Sequence, residues 1–141
     1  MRARGLEIVD HSVQQTHEWI NELDEELGWS NPGRTFRLLR VCLQVVRDCA
    51  PVEEAADFAA QLPTFLRGLF YEHWRPGARA SRYNLENFFE RVDEAFRGDP
   101  IDDVGDAVTI VLAFLSSKVS KGEARQLRQT MPHAIRALWP Q

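Results

Sequence analysis

At 141 residues the chain suits one domain with room for a proper hydrophobic core. With 44% apolar and 27% charged residues it reads as a globular chain and not a disordered one. A net charge of −4 argues against nonspecific nucleic-acid binding, and no apolar run approaches the roughly 20 residues that span a bilayer.

The opening stretch "MRARGLEIVD" holds two arginines but no apolar core of signal-peptide length, so the expected compartment is the cytoplasm. Residues 1–11 read as an N-terminal extension, and Ser12-x-x-Gln15 as the cap of a first helix. That helix carries Trp19, Ile20, Leu23 and Leu27, with the carboxylates Glu18, Glu22, Asp24, Glu25 and Glu26 spread around it as on a solvated face. His17-Glu18 begins like a zinc-binding HExxH motif, but Asn21 stands where the second histidine belongs.

Asn31-Pro32 open a second helix, the side-chain oxygen capping free N–H groups and the proline occupying the first turn. Its body is apolar over most of its circumference, with Arg37, Arg40, Gln44 and Arg47 as the one clear polar stripe. A helix of that kind is predicted to be central and covered on several sides. Cys42 and Cys49, the only cysteines, sit on it about 10 Å apart along the axis, too far to bridge, and read as buried thiols. Pro51 with Glu53 and Glu54 announces a third helix. Pro63 breaks it and starts a short fourth, whose buried face is Leu66, Leu69 and Phe70.

Next comes "YEHWRPGARASRYN", Tyr71 to Asn84, with Arg75, Arg79 and Arg82 set among Tyr71, Trp74 and Tyr83. Two readings stand. The stretch is a connection whose aromatics fold back on the core while its arginines stay solvated, or it is a recognition surface for an anion or a partner. On the second reading the binding residues are Arg67, Tyr71, Trp74, Arg75, Arg79 and Arg82.

Beyond it, Leu85, Phe88, Phe89, Val92 and Phe96 make an amphipathic helical stripe. Asp99-Pro100 is expected to open the next, strongly apolar helix; Ser120-x-x-Glu123 is a capping box, and Pro132 begins a last short helix. No strand-like alternation of useful length occurs.

Sliding the chain by 69 positions superposes its apolar pattern on itself. Trp19, Ile20, Leu23 and Leu27 fall on Phe88, Phe89, Val92 and Phe96, and Leu66-Arg67 with Leu69-Phe70 fall on Ile135-Arg136 with Leu138-Trp139. The predicted fold is therefore all-α: a compact bundle of about eight helices made of two tandem four-helix repeats. Its boundaries are 12–76 and 85–141, joined by 77–84, in one domain over 12–141. Neither half buries its central helix alone, so the two pack together, by a pseudo-twofold or by solenoid stacking. Glu22 and Arg91, Arg34 and Asp103, and Arg37 and Asp106 occupy aligned positions with opposite charge and are candidates to pair across such an axis. Arg67 and Arg136 read as laying their stems on apolar surface and sending the guanidinium to a carboxylate or carbonyl, with anion binding the alternative.

Glu54-Ala55 through Gln61-Leu62-Pro63, then Leu66-Arg67, Phe70-Tyr71-Glu72 and Trp74-Arg75-Pro76, resemble the bacterial family called domain of unknown function 2267. The second half keeps "GEARQLRQTMP" but ends at Trp139-Pro140-Gln141 and does not repeat the Glu72–Pro76 portion. The resemblance runs from about Ser12 to Trp139. It implies an all-helical fold and no particular activity, cofactor or catalytic residue.

No phosphate-cradling glycine loop, GxSxG elbow or paired CxxC is present, so no catalytic, cofactor or metal residues are assigned. The preferred functional expectation is a non-enzymatic protein-interaction or structural module that binds another protein or itself, with neither membrane nor nucleic acid expected as partner. The alternative is a protein for a small anionic ligand, an enzyme among the options, using the surface of residues 71–83 with Arg67.

Overall fold

The computed structural model describes residues 6–76 and 84–140, and among them all regular structure is helical. Eight helices follow in order: α1 Glu7–Leu27, α2 Pro32–Cys49, α3 Val52–Ala59, α4 Thr64–Tyr71, α5 Leu85–Ala95, α6 Val104–Lys118, α7 Lys121–Thr130 and α8 His133–Arg136. No helix among the described residues is long and apolar enough to cross a membrane.

Most boundaries follow local chemistry. Gly28, in the left-handed region at φ 69°, ends α1 and donates its N–H to the carbonyls of Asp24 and Glu25. The Asn31 side chain caps α2 by accepting from the N–H of Arg34 at 3.2 Å. Ser120 Oγ likewise accepts from the N–H of Glu123 at 3.1 Å. Pro51, Pro63 and Pro132 stand immediately before α3, α4 and α8.

Two predicted starts are wrong. Ser12 does not cap α1, which begins at Glu7; it is buried inside the helix, and its Oγ accepts from the backbone N–H of Phe65 at 2.8 Å. The hydroxyl serves a neighbouring helix instead of its own end. Asp99-Pro100 does not open α6, which begins at Val104 with Asp103 as its cap, accepting from the N–H of Asp106 at 2.9 Å. Arg34 explains the delay. Its Nε meets the Asp99 carboxylate at 3.0 Å and its Nη2 reaches the carbonyls of Asp99 and Pro100, which holds that segment to α2.

The core is built around α2, which packs against α1, α4, α5 and α6; α6 also touches α1, α5 and α7, and α3 lies on α7. Leu38, Leu39, Cys42, Leu43 and Val45 of α2 have no exposed surface, nor do Val108, Val111, Leu112 and Leu115 of α6. Aromatic rings fill the spaces between, with Trp19 edge-on to Phe114 at 5.7 Å and Phe58 against Phe70 at 5.6 Å. Cys42 and Cys49 are free and buried. Burial, then the charge of Asp48, pushes the Cys49 thiol up to about 12, and burial raises Cys42 as well.

The polar stripe of α2 is paired within the chain, at the surface for Arg37 and Arg40 and in the interior for Arg47. Arg47 is buried, forks onto both oxygens of Asp48 at 2.8 and 3.1 Å, and donates to the carbonyls of Phe70 and Glu72 at 3.0 and 2.6 Å. Arg91 of α5 reaches Asp48 at 3.0 Å, so one carboxylate ties α2 to α5. The expected cross-axis charge pairs give way to other partners. Glu22 pairs with Lys118 at 2.6 Å, while Arg34 and Arg37 share Asp99, because Asp103 is occupied as a helix cap.

Truncating the centre tests this packing: Leu43→Ala should destabilise the fold by about 2–5 kcal/mol in urea denaturation, with the slope unchanged. A second test concerns pH. Burial, then the charges of Asp57 and Glu54, raises the Glu123 carboxyl above its ordinary value. Its ionised form is therefore disfavoured in the fold, and stability is lost as pH rises through that raised value. Glu123→Gln is expected to raise the melting temperature at neutral pH and to change it little below the ordinary carboxylate range.

Candidate functional site

Of the six binding residues predicted from sequence, the structure brings two into contact. Tyr71 and Trp74 lie ring to ring at 5.3 Å, and both pack half-buried on the core. Arg75, next in the chain, is exposed. Arg79 and Arg82 lie outside the described residues. Arg67 turns toward α3. Its Nε donates to the carbonyl of Ala59 at 3.0 Å and its Nη2 to those of Ala60 and Leu62 at 3.3 and 3.2 Å. These carbonyls lie at and just beyond the end of α3, where that of Ala59 also accepts from the N–H of Leu62 at 3.0 Å, and a cation there suits the helix dipole. Arg136 does the same beyond α7, donating to the carbonyls of Gln129 and Met131 at 3.3 and 3.2 Å.

Close to Trp74 a polar groove of about 380 Å³ runs between α2 and α5, walled by Arg37, Arg40, Gln44, Glu72, His73 and Arg91. One oxygen of Glu72 accepts from Arg40 and, at 3.3 Å, from Gln44. The Arg40 hydrogen bond is the main cause that holds this carboxyl below its usual range. Arg37 meets Asp99, and Arg91 meets Asp48. The three cations of the groove thus face carboxylates of the same chain. His73 follows Glu72 with φ at 61°, a left-handed turn at a residue other than glycine.

A second groove, of about 370 Å³, is apolar and was not foreseen. Helix α1 supplies Val13, His17 and Ile20 to it, the first turns of α2 supply Pro32, Gly33 and Phe36, and α4 adds Phe65. The Ser12–Phe65 hydrogen bond brings α4 to this position. Val13 and Phe65 remain 44% and 48% exposed, an open apolar rim where polar residues would be the ordinary choice. The stripe Leu6, Val9, Val13, Thr16, Ile20, Leu23, Leu27 repeats at alternating steps of three and four, the spacing of a helix that packs along its length on another helix. Its second half, from Thr16, is covered by the core, whereas Leu6, Val9 and Val13 are exposed. That spacing was legible in the chain, but a boundary drawn at Ser12 cut through it.

A family model described as "Uncharacterized conserved protein (DUF2267)" matches residues 16–138. The chain belongs to the DUF2267 family. No curated protein matches it. The exposed apolar half of α1 in this DUF2267 chain, residues 6–13, precedes the matched stretch, while the floor of the apolar groove falls within it.

The Arg67 arrangement is open to direct test. Arg67→Ala should destabilise the fold by about 1–3 kcal/mol, and Arg67→Lys should recover little of it, since one ammonium does not span the carbonyls the fork reaches. Urea denaturation of the two variants beside the parent chain measures both.

Proposed function

We propose that the chain is a non-enzymatic helical interaction module whose working surface is the apolar groove between α1, α2 and α4. The observation that carries this reading is the exposure of Val13 and Phe65 beside that groove, where most other large apolar side chains among the described residues are buried. The groove suits the apolar face of an amphipathic helix, a recurrent mode of recognition in which side chains one turn apart enter a hydrophobic cleft. The polar groove favours a small-anion reading less, because its arginines already face Asp48, Glu72 and Asp99.

The scaffold for this surface, in our reading, is a tandem duplication. Residues 12–76 and 85–141 form two four-helix units at an offset of 69 positions, in one domain. Support comes from the paired roles of Arg67 and Arg136, whose Nη2 groups bind carbonyls at positions 60 and 62 and at 129 and 131, the same offset. The packing supports a pseudo-twofold over a solenoid. α2 lies on α6 and α3 on α7, and the contact of α1 with α6 is matched by that of α5 with α2. Two free buried thiols fit a reducing compartment such as the cytoplasm.

Photo-crosslinking tests the interaction reading. With benzoylphenylalanine at position 65, irradiation in cells should yield a discrete protein adduct, whereas the same group at exposed Val52 on α3 should not. Equal behaviour at the two positions removes the groove as the working surface.

A further inference from the structure

We infer that a third groove, between α6 and α7, is a binding site for the phosphate group of a small phosphate ester. This groove, of about 520 Å³, shares no lining residue with the two described above. Lys121, Arg125, Arg128 and Gln129 of α7 line it, and Ser116 of α6 adds a hydroxyl. The four α7 residues follow one another at steps of four, three and one, which sets them on a single helical face. Glu123, the acid in the first turn of α7, falls on the opposite face, where its charged neighbours are Asp57 and Glu54 of α3.

What marks this groove is cations gathered without an acid. None of the described residues lining it is acidic. Lys121 and Arg125 are exposed, and among the described residues neither meets a carboxylate at ion-pairing distance. The arginines of the polar groove differ in this respect, since Asp99, Glu72 and Asp48 already face them. In a chain of net charge −4 the arrangement is not a by-product of general basicity. Folding gains nothing from it either. Lys121 and Arg125 are like charges one turn apart, and Lys121 stands in the first turn of α7, at the positive end of the helix dipole. At the positions 69 earlier, α3 carries Val52, Ala56 and Ala59, so in the duplication reading the shared scaffold does not call for the three cations. A bound dianion offsets both penalties at once.

The chemistry selects phosphate. Guanidinium forks match phosphate oxygens two at a time, an ammonium adds a point charge, and a phosphate ester carries close to two negative charges at neutral pH. Ser116 and Gln129 offer further hydrogen bonds to the ester, while Ala124 and Pro140 give its organic part an apolar surface. From Lys121 to Arg128 the helix rises only about 10 Å, a span for one or two phosphates and not for a nucleic-acid strand.

Backbone amide NMR during titration with inorganic phosphate, and separately with adenosine 5′-monophosphate, reads the site directly. Both are expected to give saturable shifts at Ser116 and along Lys121–Gln129, with the nucleotide binding more tightly and adenosine giving none. A Lys121→Gln, Arg125→Gln double variant should keep its helical circular dichroism, both side chains being exposed, and should weaken nucleotide binding by more than about tenfold. Arg97→Gln, at an exposed position after α5, should leave it unchanged. Co-sedimentation with phosphatidylcholine vesicles, with and without phosphatidate, separates the sources. Retention that needs phosphatidate and is lost in the double variant assigns the phosphate to a lipid headgroup, and nucleotide binding without retention assigns it to a soluble ester. Absence of saturable shifts with either probe, shifts confined to other residues, or full binding by the double variant overturns the inference.

Discussion

Burial of α2 over most of its circumference is the constraint from which the rest of the structure follows. A helix with Leu38, Leu39, Cys42, Leu43, Val45 and Val46 around its circumference has no stable place at a surface, because each such side chain contributes roughly 1.5–3 kcal/mol only when covered. Covering it takes four other helices drawn from both ends of the chain, α1 and α4 from before the connection and α5 and α6 from after it. The two halves are therefore parts of one core.

The polar side chains of α2 find their partners within the chain, and this positions α4. Arg47 is held by Asp48 and by the carbonyls that end α4, and Arg40 and Gln44 grip Glu72. The C-terminal end of α4 is thereby pinned to α2, while Ser12 pins its N-terminal end to α1. Phe65 is left at the edge between α1 and α2, and the apolar groove is the space beside it.

The legible parts of this fold are those where chemistry is local. Caps at Asn31 and Ser120, the three prolines before short helices and the apolar circumference of α2 each act within a few residues, and each appears where its pattern placed it. Failures came where a residue answered a distant partner. Ser12 gave its oxygen to Phe65, 53 positions away, and Asp99 gave its carboxylate to Arg34, 65 positions away, so neither did the capping its neighbours in sequence suggested. Arg67 was read as lying beside a buried face with its guanidinium on a carboxylate or a carbonyl, and it reaches the carbonyls of Ala59, Ala60 and Leu62, only a few residues away.

What the chain determined by itself is its helical content and its central helix, since periodicity, caps and breakers depend only on neighbours a turn or so away. The stripe that begins at Leu6 was there to be read as well. Which half of that stripe is covered, and which is left open beside Phe36 and Phe65, was decided only in three dimensions. Burial is a property of surfaces that meet, and those surfaces come from α1, α2 and α4 through contacts that no local pattern encodes.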